Sequence, residues 1–254
     1  MRLPVPFRNA VSACVCIGVL IGAACRGPET VGGNVSEDLP ETIVATTEDF
    51  DLTGDGSAQA WERGEWIPLK RRGEGGLEYE TRVKLLYSTN GLYVLMDGSD
   101  SLLTATMTED FLDLWNEDVF EVFLWTDQAY PVYFEYEISP LGHELPILIP
   151  NFQGEFLGWR PWHYEGERLT RRATATRDGP RESGATISGW SAEVFIPWAL
   201  LEPLQGVPPQ AGSVWRANFY RVDYDGGIHT SWYWSPVSGT FHEFQRFGIL
   251  RFGE

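Results

Sequence analysis

The sequence predicts an all-β domain: an antiparallel β-sandwich or jelly roll with one or two short helices. Three observations carry this. Apolar residues alternate with period two rather than 3.6, the apolar segments are short, and Gly, Pro, Asn and Asp punctuate them throughout. The 254 residues include 11 Trp, 14 Phe and 10 Tyr, enough aromatic material for a core and evidence against general disorder.

Along the chain, Arg2 and Arg8 precede an apolar run from Ala10 to Ala24, too short to span a bilayer but of signal-peptide length. It ends in Leu20-Ile-Gly-Ala-Ala-Cys25, which resembles a bacterial lipobox with Gly22 where leucine is usual. Cleavage before Cys25 would leave its thiol to take a diacylglycerol. Ordinary secretion, cleaved near Ala24, is the rival reading. Either route exports the protein, as an outer-membrane or cell-surface lipoprotein or into the periplasm, with membrane contact only through a lipid anchor. All three cysteines (Cys14, Cys16 and Cys25) fall in this segment, so the remaining chain cannot form a disulfide. Residues 1–25 therefore read as a signal peptide. Residues 26–41, polar and Gly/Pro-bearing, read as a flexible tether, and 42–254 as one domain.

Within that domain, strands are expected at 81–88 and 92–96, joined by a Thr89-Asn90-Gly91 turn. Further strands are expected at 119–125, 132–138, 145–149, 169–176, 189–195, 214–222, 231–234 and 247–252. Helical turns are expected at 109–114 and at 197–201, the latter opened by Pro197 at its first position.

The net charge of −17 argues against binding nucleic acid or an anionic lipid surface, which need clustered Lys and Arg. Two strands concentrate the acid. In 119–125, alternation sets Phe120, Val122 and Leu124 on one face and Glu121 on the other; in 132–138, Phe134, Tyr136 and Ile138 oppose Glu135 and Glu137. If these strands are neighbours, three carboxylates converge on one face. Such a face could hydrogen-bond sugar hydroxyls, hold calcium or do acid–base work; a plainly solvated sheet surface is the alternative.

The segment Asp113-Leu-Trp-Asn-Glu-Asp-Val-Phe-Glu-Val-Phe123 resembles the W-x-x-D-x-x-E-x-F strand of family 9 carbohydrate-binding modules, the domains that accompany xylanases. Other pieces agree in order: 49–55 with Trp61 downstream, 91–95, 189–198, 215–219 and the closing 241–250. The resemblance covers about residues 45–252. It implies an antiparallel sandwich that holds an oligo- or polysaccharide (xylan among them) between two aromatic rings, in polysaccharide catabolism and without catalysis. Carried over, the rings fall on Trp115 and Phe241, and the ligand-contacting glutamate on Glu121. The chain departs from the family where Glu135 and Glu137 replace a basic and an amide residue. Two added negative charges favour neutral or cationic sugars, or a bound cation.

No cofactor is certain; calcium is admissible, since Asp49-x-Asp51-x-Thr53-Gly54 imitates the start of an EF-hand loop, although Ala60 stands where its bidentate glutamate belongs. The four histidines show no paired spacing for zinc, and no nucleophile elbow or phosphate loop is present. A glycoside hydrolase using Glu121 with Glu135 or Glu137 remains an alternative, since residues two apart on a strand sit about 6.6 Å apart, within the range of an inverting pair. A haem-binding sandwich using Met96 or Met107, or one kept for protein contacts, is a further alternative. Two aromatic clusters, 159–163 and 231–235, read chiefly as packing but would also extend a sugar platform.

Overall fold

The computed structural model describes residues 39–254 except Gly154; the expected signal peptide with Cys25, and residues 26–38 of the expected tether, lie outside the described residues. Its strands are β1 (Glu41–Thr46), β2 (Ile67–Pro68), β3 (Lys70–Arg71), β4 (Thr81–Tyr87), β5 (Gly91–Ser99), β6 (Val119–Trp125), β7 (Val132–Ile138) and β8 (Glu144–Phe152). They continue with β9 (Glu155–Phe156), β10 (Arg160–Pro161), β11 (Arg171–Arg177), β12 (Gly189–Pro197), β13 (Val214–Asp223), β14 (Thr230–Tyr233) and β15 (Gly248–Phe252). The fold is an all-β sandwich, as the alternation predicts. A front sheet runs β10-β8-β7-β6-β13-β15 and a back sheet β4-β5-β12-β11.

Among the described residues, β1 is the strand that pairs in parallel, and it stitches the sheets together. Glu41 to Val44 pair with Ile249 to Phe252 of the front sheet, and Ala45 and Thr46 then pair with Leu86 and Tyr87 of the back sheet. All other strand pairs among the described residues are antiparallel.

Alternation decides which side chains meet between the sheets. Phe120, Val122, Leu124, Phe134, Tyr136 and Ile138 from the front face Val83, Leu85, Val94, Met96, Trp190 and Val194 from the back in one core. Phe120 stacks on Trp190 with centroids 3.9 Å apart, and truncating either ring would cost about 3–5 kcal/mol. The 89–91 turn forms as expected, with Ser88 N–H donating to the Gly91 carbonyl at 2.9 Å. Gly91 is required there for a packing reason: a Cβ would stand 2.5 Å from the Phe195 ring.

One helical expectation holds and one fails. Residues 109–113 form no helix, and Leu114 instead opens a 3-10 turn: Phe111 takes φ 64°, and its N–H is drawn to the Glu144 carbonyl at 2.9 Å rather than into a helical turn. The second, α1, spans Trp198–Leu201, with Pro197 as its extended N-cap (ψ 144°) rather than its first helical residue.

Candidate functional site

A cleft of about 370 Å³ opens on the outer face of the front sheet, lined by residues that include Trp115, Glu121, Glu135, Glu137, Trp159, Phe241 and His242. Its floor follows from strand register. Glu121 lies directly opposite Glu137 across the β6–β7 pair, with Phe123 opposite Glu135, so all three carboxyl groups point away from the core, as the alternation requires. The solvated-surface alternative is corrected here: the glutamates are 0–4 % exposed, sealed by the surrounding aromatics.

The walls come from loops. Trp115 sits in a 3-10 turn, Leu114–Asn116, and meets Trp159 edge to face at 5.6 Å and 71°. Phe241, also at the cleft, lies flat on Tyr220, centroids 4.0 Å apart at 7°. His242 Nδ1 hydrogen-bonds the Tyr133 hydroxyl at 2.8 Å and stands 3.7 Å from Glu135 Oε2. Phe156 stacks on its imidazole at 4.2 Å. At the rim, Arg72 approaches the Phe241 ring at 5.9 Å while donating to the carbonyls of Ser238 and Gly239.

Hydrogen bonds behind the rings hold the walls in place. The Tyr224 hydroxyl donates to the Trp115 carbonyl at 3.1 Å. Asp118, the aspartate of the Trp115–Phe123 motif, accepts from Thr104 N–H at 2.6 Å and Tyr224 N–H at 3.0 Å. On the far wall, the Glu243 carboxylate gathers the N–H groups of Ser238, Gly239 and Thr240, shaping the loop that carries Phe241.

Burial sets the protonation of the floor. Desolvation pushes Glu121 up to about 8. Glu135 and Glu137 are raised well above the usual carboxylate range, by desolvation first and then by repulsion from neighbouring carboxylates. Desolvation lowers His242 to about 4, so its imidazole is neutral at pH 7. Three floor oxygens, Glu135 Oε2 and both of Glu137, make no well-formed hydrogen bond; the Glu135 and Glu137 carboxyls are near enough to influence each other's protonation, and the Trp115 backbone that of Glu137. Such a floor can donate through protonated carboxyls and accept through the others, as a polyhydroxylated ligand requires.

The three-carboxylate group compact enough for a cation lies elsewhere: Asp100, Asp118 and Asp223, all buried. There the buried Arg221 guanidinium already supplies positive charge, at 3.0 Å from Asp100 and 2.5 Å from Asp223. Desolvation raises Asp100 to about 7 and Asp118 to about 8. In the EF-hand-like stretch, Asp49 accepts from Asn90 and Tyr93 while Thr53 binds Glu193, so the would-be ligands turn to different partners.

All five sequence-singled residues, Trp115, Glu121, Glu135, Glu137 and Phe241, line this one cleft. Sequence reading missed Tyr224, His242, His229 and Arg72, which also line it; no spacing rule marks them, though His242 adjoins Phe241. The 159–163 cluster divides, Trp159 at the cleft and Trp162 against the main core. In the 231–235 cluster, Trp232 and Trp234 are buried in the core, consistent with packing. Met96, weighed as a haem ligand, is sealed in that core.

Residues 52–140 match the profile of the family described as "Carbohydrate family 9 binding domain-like". This segment contains Trp115 and the three glutamates but not Phe241. No curated protein matches the chain. Among solved structures, a candidate carbohydrate-binding protein from Bacteroides uniformis is similar at TM-score 0.68 and 17 % identity, covering 84 % of this chain and 99 % of that one. A family 9 carbohydrate-binding module from Caldicellulosiruptor kristjanssonii in complex with cellotriose is similar at TM-score 0.60 and 15 % identity, covering 84 % and 94 %. A family 9 module from the same organism in complex with glucose is similar at TM-score 0.59 and 16 % identity, covering 85 % and 97 %. At these identities the likeness establishes the fold.

Proposed function

We propose that this domain binds saccharides without catalysis, a sugar ring lying between Trp115 with Trp159 on one side and Phe241 on the other. The observation that carries this reading is a floor of buried carboxyl groups, with oxygens that make no well-formed hydrogen bond, set between aromatic faces. The C–H face of a pyranose packs on such rings while its hydroxyls reach the carboxyls. The cellotriose and glucose complexes of structurally similar modules support the same ligand class.

Hydrolysis is disfavoured by the electrostatics. A glycosidase needs one carboxyl protonated and its partner ionised, their pKa values driven apart. Here burial drives all three upward together. We further propose that the chain is exported and anchored through a lipid on Cys25, serving polysaccharide breakdown beside a separate enzyme. Transfer of the protein from the detergent to the aqueous phase in a Cys25→Ser variant tests the anchor.

Titration calorimetry of the full-length protein against glucose, cellotriose and xylo-oligosaccharides tests the binding. Saturable heat that weakens at least tenfold in Trp115→Ala, with the folded circular dichroism retained, is the expected result. Silence across a broad glycan panel overturns the reading, and turnover of a chromogenic glycoside lost in Glu121→Gln would replace it with an enzyme.

A further inference from the structure

The cleft floor is acid without a matching base. Glu121, Glu135 and Glu137 present their carboxyl groups to one space, and three of their oxygens are buried without a well-formed hydrogen bond. Basic groups among the lining residues are few: Arg72, His229 and His242. Arg72 is engaged at the rim with the Ser238 and Gly239 carbonyls. His229 is exposed and packs edge-on against Tyr224 at 5.2 Å. The His242 Nδ1 is committed to the Tyr133 hydroxyl. Tyrosines 220 and 224 complete the surround, their hydroxyls directed to the carbonyls of Phe241 and Trp115. None of these groups brings a positive charge onto the floor.

A bare metal ion fits this space poorly. Among the described residues, the floor glutamates do not draw their oxygens close enough to form a three-ligand group, whereas the distant Asp100, Asp118 and Asp223 do. A ligand suited to this floor spreads its donors over several ångströms, favours the ionised form of carboxyls that burial holds protonated, and presents a flat apolar face to Trp115 and Phe241. A neutral hexose meets the first and last demands but brings no charge, whereas a primary ammonium adds three donors with a full positive charge and favours release of floor protons to solvent as it binds.

We infer that the cleft selects a cationic saccharide, a hexosamine with a free amino group whose ammonium sits among Glu121, Glu135 and Glu137 while its ring lies between Trp115 and Phe241. The inference rests on the saccharide-binding reading and narrows it to one substrate class.

The experiment is a calorimetric titration of the full-length protein at pH 7 with glucosamine, glucose, N-acetylglucosamine and propylamine. Glucosamine is expected to bind at least tenfold more tightly than each of the other three. In Glu137→Gln, and separately in Glu135→Gln, the glucosamine-to-glucose affinity ratio is expected to fall below about three, with melting curves confirming a folded protein. Glucose binding as tightly as glucosamine overturns the inference and leaves the saccharide-binding reading intact. Equal binding of N-acetylglucosamine also overturns it, because acetylation removes the charge. Equal binding of propylamine overturns it too, because the aromatic cradle would then contribute nothing. No binding of any sugar defeats the underlying reading itself. These arms need no variant to fold, since the first comparison is made on the natural chain.

Discussion

The two outer faces of the sandwich bury the same residue type and treat it in opposite ways. On the back sheet, Glu193 is 0 % exposed and accepts from Thr53 N–H at 3.1 Å, Thr53 Oγ1 at 2.7 Å and Gly56 N–H at 2.7 Å. On the front sheet, Glu137 is equally buried and neither of its oxygens makes a hydrogen bond of comparable quality, with the Glu135 carboxyl and the Trp115 backbone as its neighbours. The difference lies in what covers each face. Residues 49–64 fold over the back sheet, where Phe50 stacks on Tyr93 at 4.2 Å and meets Trp61 edge-on. Over the front sheet the loops stop short and leave the cleft open. A buried carboxylate that is fully served belongs to the fold; one that is left unserved costs stability that a ligand can recover.

Several experiments would break or sharpen that contrast. The largest effect is expected at the buried, ion-paired Arg221. Replacing it in Arg221→Met strands Asp100 and Asp223 without a cation and should cost about 3–5 kcal/mol in denaturant unfolding. Next comes Glu193→Ala, which orphans the donors of Thr53 and Gly56 and should cost about 2–4 kcal/mol. If it is harmless, residues 49–64 are not held as described.

Glu137→Gln should move the other way. Removing a carboxyl that resists ionisation should stabilise the protein by about 1 kcal/mol at pH 8 while weakening saccharide binding. Destabilisation there would mean that Glu137 is a structural group after all. The pH dependence follows the same logic. The floor glutamates and Asp118 are raised in the folded protein, so the fold holds protons that the unfolded chain has already released. Melting temperature should therefore fall as pH rises from about 5, just above the unfolded carboxyl range, to about 8, less steeply in Glu137→Gln. A flat profile would refute the buried-acid picture. The smallest effect is expected from EDTA, which should leave the melting temperature unchanged because Arg221 already balances Asp100 and Asp223.

Much of this was legible along the chain, and the reasons differ by element. Strands such as β6 and β7 read directly from alternation, because each buries one face in the core and the period of two is imposed by the pleat. Strand β1 was not read: Glu41 to Thr46 straddles the expected tether boundary, and its pairing with both β15 and β4 depends on residues some two hundred positions away or on the opposite sheet. The expected helix at 109–114 failed because Phe111 and Asp110 are claimed by Glu144 and Arg172, long-range partners that local propensity cannot register.

By itself the sequence determined the two-layer all-β fold and the face on which Glu121, Glu135 and Glu137 stand, since both follow from local periodicity. Tertiary structure alone decided that those carboxyls are buried rather than solvated, that Trp159, Tyr224 and His242 join Trp115 and Phe241 around them, and that Glu193 is hydrogen-bonded by the segment above it while Glu137, equally buried, is not. Burial, and with it protonation and the capacity to bind, depends on which distant loops close over a face. Strand periodicity carries no information about that closure.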